Sequence, residues 1–292
     1  HYNIIPFLII FTFVSCCKKS ETDYRTKYSV VEDAISGNNI GTFNNRPLYV
    51  NNSDAFILTG DQPVARLARG QSLFGTFLIG IIRDGKGKWV HQFDQIISEY
   101  RPGRMLWKLS DSSYNNLKII LEVVPMANTT GMAIKAVTEG ARDGDRIIWA
   151  FGGAQWKPGQ NLAWRWDVTR NSSLLKWDFS SGDCRNNKII SDRNISYITV
   201  PDSTKPGEDL FKVGVSCNAV GEIRTGDAGY WKDPVMFEDS QATSLPILSG
   251  ILNPDDDSSV FWAIEAFKKG KDIDLSGIND PANSFAEGLQ RT

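Results

Sequence analysis

The stretch Leu117-Lys118-Ile119-Ile120-Leu121-Glu122-Val123-Val124 decides the fold class. Leu117, Ile119, Leu121 and Val123 fill one side of an extended chain, while Lys118 and Glu122 mark the other. That is the pattern of an antiparallel strand with one face on a core and one toward water. Before it, Arg104-Met105-Leu106-Trp107-Lys108-Leu109 runs into a Ser/Asn turn; after it, Met132-Ala133-Ile134-Lys135-Ala136-Val137-Thr138-Glu139 continues the pattern. An Asp/Gly turn leads on to Arg146-Ile147-Ile148-Trp149-Ala150-Phe151. The centre of the chain therefore reads as one meander of long strands joined by short turns.

The same signals extend outward. Upstream, Arg46-Pro47-Leu48-Tyr49-Val50 and Ala55-Phe56-Ile57-Leu58-Thr59 flank Asn51-Asn52-Ser53-Asp54 and read as a hairpin. Residues 72–83 form a longer apolar run, whose length alone would allow a helix. Gly75 and Gly80 within it, and the turn Asp84-Gly85-Lys86-Gly87 before Lys88-Trp89-Val90-His91-Gln92-Phe93, favour a second hairpin. Downstream, strands are expected at 174–179, 195–200, 210–217 and 259–267. Strands in this number need two stacked sheets, because one open sheet would leave a face uncovered, and no internal repeat supports a propeller. The expected fold is all-β: a large antiparallel β-sandwich of the super-sandwich type. Only the end differs, where Asp280-Pro281 offers an N-cap and a first-turn proline for a short helix through Gln290.

With 292 residues, 41% apolar and 23% charged, the chain has material for a sizeable core. Its formal charge of −2, with no Lys/Arg stripe interleaved with aromatics, argues against nucleic acid as a partner. The run Ile4-Ile5-Pro6-Phe7-Leu8-Ile9-Ile10-Phe11-Thr12-Phe13-Val14 is short for a bilayer span and matches the apolar core of a secretory signal. It ends at Val14-Ser15-Cys16-Cys17, similar to a bacterial lipoprotein cleavage site with Cys16 as the lipidated residue, although Phe13 stands where leucine is usual. These residues imply export and a lipid anchor in the cell envelope, expected in the outer membrane. The expected division is a signal segment at 1–16, a polar leader at 17–45, a sandwich at 46–275, and at 276–292 the start of a helical linker to a further C-terminal domain. The opening at His1 without a basic leader and the nascent helix at the end suggest that both ends of the gene product lie elsewhere.

Most catalytic chemistry is poorly supported. A serine hydrolase needs a histidine base and a nucleophile elbow. His91, expected in a strand, is the sole histidine after the signal, and no Gly-x-Ser-x-Gly accompanies it. No phosphate loop or zinc spacing occurs, and Asp255-Asp256-Asp257 lacks the alternation of a calcium loop, so neither cofactor nor metal is expected. Cys184 and Cys217 are the possible internal pair in an oxidising compartment, and two free thiols are the favoured state. Glycoside hydrolysis needs two carboxylates across a sugar site. Asp94, Glu99, Asp167 and Asp178 lie near aromatics in sequence, but that proximity nominates none of them as catalytic.

Binding chemistry is better supported. Between Trp149 and Trp166 lie four of the nine tryptophans, where a strand meets two glycines and a Pro-Gly turn. Flat indole faces stack on the C–H faces of pyranose rings, and amides and guanidinium groups bond hydroxyls. Trp156, Trp164 and Trp166, with Gln160, Asn161 and Arg165, are the candidate carbohydrate-binding residues, and an oligo- or polysaccharide is the expected partner. The alternative is ordinary core packing, since buried Trp is common in β-proteins.

Four blocks carry a resemblance: Tyr100-Arg101-Pro102-Gly103-Arg104-Met105-Leu106-Trp107, Leu121-Glu122-Val123-Val124-Pro125-Met126-Ala127, Gly131-Met132, and Trp149-Ala150-Phe151-Gly152-Gly153-Ala154. With these the chain resembles an uncharacterised N-terminal β-sandwich domain family of large exported bacterial proteins linked to glycan degradation. Those proteins look like glycosidases in which a sandwich precedes an (α/α)6 barrel that carries the catalytic acids. The resemblance runs from about Tyr49 to the C-terminus and implies a non-catalytic sandwich within a carbohydrate-processing protein. It supplies no catalytic residues. It also implies that Phe151-Gly152-Gly153-Ala154 is a structural turn. The family commonly continues with a glycine- and basic-rich loop, where this chain has Gln155-Trp156-Lys157-Pro158-Gly159, so the candidate platform narrows to Trp156 through Trp166.

Overall fold

Leu117, Ile119, Leu121 and Val123 are all buried in the computed structural model, which describes residues 28–40, 46–50, 55–127, 129–156, 179–192, 195–219, 223–241, 244–254, 258–268 and 276–291. Their strand lies inside a ten-stranded antiparallel sheet. In spatial order this sheet contains β1 (Tyr28–Val31), β2 (Ala34–Asn38), β8 (Gln95–Arg101), β9 (Arg104–Ser110), β10 (Lys118–Pro125), β11 (Gly131–Glu139), β19 (Ser259–Lys268), β16 (Asp209–Cys217), β15 (Ile195–Pro201) and β14 (Lys188–Asp192). The meander expected from the sequence is present from β8 to β11. It stops there, because the next strand, β12 (Arg146–Gly152), crosses to the second sheet.

That second sheet runs β17 (Arg224–Asp227), β18 (Pro246–Leu252), β12, β6 (Ser72–Arg83), β5 (Ala65–Arg69), β4 (Ala55–Thr59) and β3 (Arg46–Tyr49), with β7 (Lys86–Trp89) and β13 (Gln155–Trp156) also paired to β6. Both upstream hairpins are as expected, β3 with β4 and β6 with β7. Two details differ. Residues 90–92 form a 3-10 turn, so His91 is not in a strand. The strands β1 and β2 occupy part of the stretch expected as a polar leader, and pair with β8 to extend the first sheet.

Alternation explains the layering. Phe77, Ile79 and Ile81 of β6 join the core between the sheets, while Leu78 and Ile82 face outward into a second cluster. The outer cluster is capped by helix α1 (Pro234–Glu238) and by the turn at 228–230; the Trp89 ring lies 5.7 Å from Phe237, and its Nε1 donates to the Trp231 carbonyl. Asp233 caps α1 by accepting from the Val235 and Met236 amides. On the far side, α2 (Ser276–Asn279) and α3 (Pro281–Gln290) cover the outer face of the first sheet with Ile278 and Phe285. Asp280 accepts from the Asn283 amide and Pro281 begins α3, the cap the sequence indicated. Covered on both faces, β6 and the end of β10 are apolar runs rather than clean alternations.

An aromatic contact joins the layers. Trp262 of the first sheet meets Phe77 and Trp149 of the second at centroid separations of 5.2 and 6.2 Å, and Phe77 stacks on Trp149 at 6.4 Å. Gly250 sits opposite Trp149 in the ladder, and a Cβ there would lie 2.5 Å from the indole Nε1.

One end of the sandwich is closed by a buried ion pair. Arg83 Nε and Nη2 donate to the two carboxylate oxygens of Asp145 at 2.6 and 2.5 Å, with side chains only 5% and 1% exposed. Arg83 also donates to the Asn115 and Gly140 carbonyls, so one guanidinium joins three loops. Burial alone would raise the Asp145 carboxyl, but the hydrogen bond from Arg83, the Arg142 amide and nearby positive charge together hold it below its ordinary range.

Three outcomes follow. Asp145→Ala should cost about 3–5 kcal/mol in urea unfolding, because it strands a buried guanidinium, and replacing both partners with apolar residues should cost less. The pair's pH-dependent share of stability should be complete above the ordinary aspartate value of about 3.9 and be lost as pH falls below it; Asp145→Asn should remove that acid dependence. Gly250→Ala should cost about 1–3 kcal/mol and alter the near-UV circular dichroism of the tryptophan cluster, since the Trp149 ring has to move.

Candidate functional site

The block Phe151-Gly152-Gly153-Ala154 is a structural turn built to return the chain to β6. Gly153 has a φ of 78°, in the left-handed region, and the Asn187 side chain clamps Ala154, accepting from its amide at 3.2 Å and donating to its carbonyl at 2.5 Å. Beyond the clamp, β13 resumes pairing where β12 left off, with Gln155 opposite Leu73 and Trp156 opposite Ser72. Trp156 therefore stands at the extreme end of the second sheet, beside the β5–β6 turn. It is 44% exposed, whereas Trp89, Trp107, Trp149 and Trp262 are fully buried and serve packing.

Trp156 lies on the rim of a groove of about 400 Å³ that opens between the ends of the two sheets. The second sheet contributes Arg69, Gly70, Ser72, Phe74 and Trp156, and the first contributes Thr130, Leu210, Phe211, Ala266 and Phe267. A β-bulge supplies the floor. Leu67 pairs with Gly75 and Ala68 with Leu73, which leaves Phe74 as the extra residue. Gly75 adopts a φ of 149°, and the Phe151 ring fills the space a Cβ would take there. The displaced Phe74 reaches across to Phe211, edge to face at 5.1 Å, and both are buried.

Of the residues proposed from the sequence as a sugar platform, Trp156 is thus placed. Gln160, Asn161, Trp164, Arg165 and Trp166 lie outside the described residues, as do Cys16, Asp167, Asp178, Asp255 to Asp257 and nearly all of the strand expected at 174–179. The groove residues from the first sheet carry no local sequence signal. Only Gly75, a glycine inside an apolar strand, announces the bulge that positions Phe74.

The two described acidic residues of those near aromatics, Asp94 and Glu99, are structural. Asp94 accepts from the Ser112 amide and hydroxyl. Glu99 is bound by Lys108 at 2.6 Å and Arg101 at 3.0 Å; burial opposes ionisation, but these two cations prevail and hold the carboxyl below its ordinary value. A general acid for glycosidic cleavage needs the opposite shift. Cys184 and Cys217 are both free, and burial pushes their thiols up to about 12 and about 11, which suits inert packing residues. Among the described residues, no group of three His, Cys, Asp or Glu side chains is placed to hold a metal ion. Among the described residues, the groove lining offers aromatic faces, a few hydroxyls, backbone groups and Arg69, the groups with which a protein recognises a polar ligand.

The fold has relatives among solved structures. A bacterial glucoamylase complexed with acarbose superposes with a TM-score of 0.50 at 9% identity, over 86% of this chain and 38% of that one. A putative kojibiose phosphorylase from the human microbiome superposes with a TM-score of 0.50, also at 9% identity, over 91% of this chain and 35% of that one. The chain thus spans less than two-fifths of the length of either, and at this identity the likeness is one of fold. No curated protein matches the sequence. The profile of a family described as a domain of unknown function (DUF4450) matches residues 71–276, from the start of β6 to the start of α2 and so through most of both sheets. A match over that much of the chain makes this protein a member of the DUF4450 family.

Proposed function

We propose that this chain is the non-catalytic β-sandwich portion of a surface-anchored, carbohydrate-processing lipoprotein, a glycoside hydrolase whose catalytic barrel lies outside these residues. The observation that carries the reading is the superposition of nearly the whole chain on little more than a third of a glucoamylase and of a putative kojibiose phosphorylase. A sandwich that accounts for only part of such proteins leaves the bond-breaking groups to the remainder. The electrostatics of the described residues agree with that division, since Asp94, Glu99, Asp111 and Asp145 are all engaged as structural acceptors. Lipid attachment rests on the apolar run ending at Cys16.

The second reading is a stand-alone glycan-binding lipoprotein, favoured by one observation: Trp156 is exposed at the end of a sheet otherwise lined with buried tryptophans. An exposed indole beside a groove is a stacking surface for a pyranose.

The gene should continue in frame beyond Thr292 into a helical domain with two facing carboxylates; a stop codon directly after Thr292 would sink the barrel. When the full gene product is expressed in bacteria, radiolabelled palmitate should be incorporated and the protein should sediment with membranes. Cys16→Ser should abolish both, and undiminished labelling would refute the anchor. For the second reading, oligosaccharide affinity measured by calorimetry should fall by roughly 1–2 kcal/mol in Trp156→Ala or Trp164→Ala. Unchanged affinity in both variants would remove the platform.

A further inference from the structure

The groove between the sheet ends combines features that together specify a ligand class. Its volume of about 400 Å³ sits near the lower end of the roughly 300–1,000 Å³ usual for small-molecule sites. Its floor is apolar and closed, because Phe74 and Phe211 meet edge to face beneath it. Its rim pairs the exposed face of Trp156 with the hydroxyl-bearing residues Ser72 and Thr130, one from each side. Arg69 is the sole charged residue among the described residues of the lining and is already engaged by other groups of the protein. Among the described residues, no carboxylate lines the space.

We propose that this groove binds one or two residues of a neutral oligosaccharide, held between the two sheets. The inference rests on the reading of this domain as part of a carbohydrate-processing protein and names the ligand of a site within it. Neutrality follows from the described lining, in which an anionic sugar meets only an already engaged Arg69 and a cationic one meets no carboxylate, each at a desolvation cost. The volume of about 400 Å³ limits occupancy to one or two sugar residues. Stacking on Trp156 uses the C–H face of a pyranose, and its edge hydroxyls meet Ser72 and Thr130. The lining comes from five separate segments, which the folded sandwich holds in place. A bound sugar therefore touches both sheets at once and stabilises the folded state by mass action.

The test uses the intact chain with neutral gluco-, galacto- and xylo-trisaccharides and a hexuronate trisaccharide of similar size, read by thermal unfolding and by calorimetric Kd. At least one neutral trisaccharide should raise Tm and the hexuronate should not. Its Kd should weaken about tenfold in Trp156→Ala, the effect of losing roughly one stacking contact. It should also weaken measurably in Thr130→Val and Phe267→Ala, which lie on the opposite sheet; circular dichroism establishes that each variant is folded. Binding that is lost in Trp164→Ala but unchanged in Trp156→Ala, Thr130→Val and Phe267→Ala would overturn the groove while leaving carbohydrate binding intact. Stabilisation by indole or another small aromatic, with no response to any trisaccharide, would assign the groove to an apolar side chain and overturn the sugar. Absence of any binding would also overturn it, and the reading frame beyond Thr292 would still decide the wider reading.

Discussion

Trp262, Phe77 and Trp149 meet midway between the two sheets, and the architecture depends on that contact. Two sheets packed face to face need large side chains from both inner surfaces to exclude water from the gap. Here the three rings come from β19, β6 and β12, strands far apart in sequence. The chain has to cross between sheets repeatedly before they can touch. β19 is inserted between β11 and β16, so the first sheet is completed only when residues near the end of the sandwich arrive. Gly250 shows how tightly the centre is fitted, because even a methyl group there would invade the Trp149 ring.

Local pattern made much of this legible. The alternation at 117–123 placed a core face correctly, and the turn at Asp84-Gly85 marked the β6–β7 hairpin as the glycines within β6 suggested. What escaped was anything that depends on which partner a strand finds. Arg146 to Phe151 reads as the next strand of a meander, yet Trp149 is buried on the inner face of the other sheet. Periodicity gives the face a side chain points to, not the sheet it belongs to. β18 carries Ile247, Leu248, Ile251 and Leu252, but Ser249-Gly250 splits them into two pairs too short to announce a strand, and its place comes from pairing with β12 and β17. The strands β1 and β2 escaped for the same reason: the exposed Val30, Val31 and Ile35 sit among polar residues at a sheet edge.

The candidate site was legible in part and for a definite reason. Trp156 stood out because a large aromatic after a Gly-Gly turn is conspicuous in sequence. Its neighbours did not, because Thr130, Phe211 and Phe267 look like ordinary strand residues until the sheets are stacked. Phe74 belongs between these cases. Gly75 flags a bulge, but only the ladder shows that the bulge sends Phe74 toward Phe211.

The position of the groove follows from the rest of the fold. The helices α2 and α3 cover the outer face of the first sheet around β10, β11, β15 and β19, and the segment at 228–238 covers that of the second around β6, β7, β12 and β18. One end is sealed by Arg83 and Asp145, which tie its loops together with buried charge. At the end marked by the β5–β6 turn, the clamp of Asn187 on Ala154 holds β13 against β6 and sets Trp156 beside the gap between the sheets. There the floor of the groove is continuous with the core, since Phe74 and Phe211 belong to the same buried cluster as Trp149 and Trp262. A ligand in that position meets a floor of core side chains, Phe74 and Phe211, whose freedom is already spent on packing. A site on the exposed tip of a loop would lack that advantage.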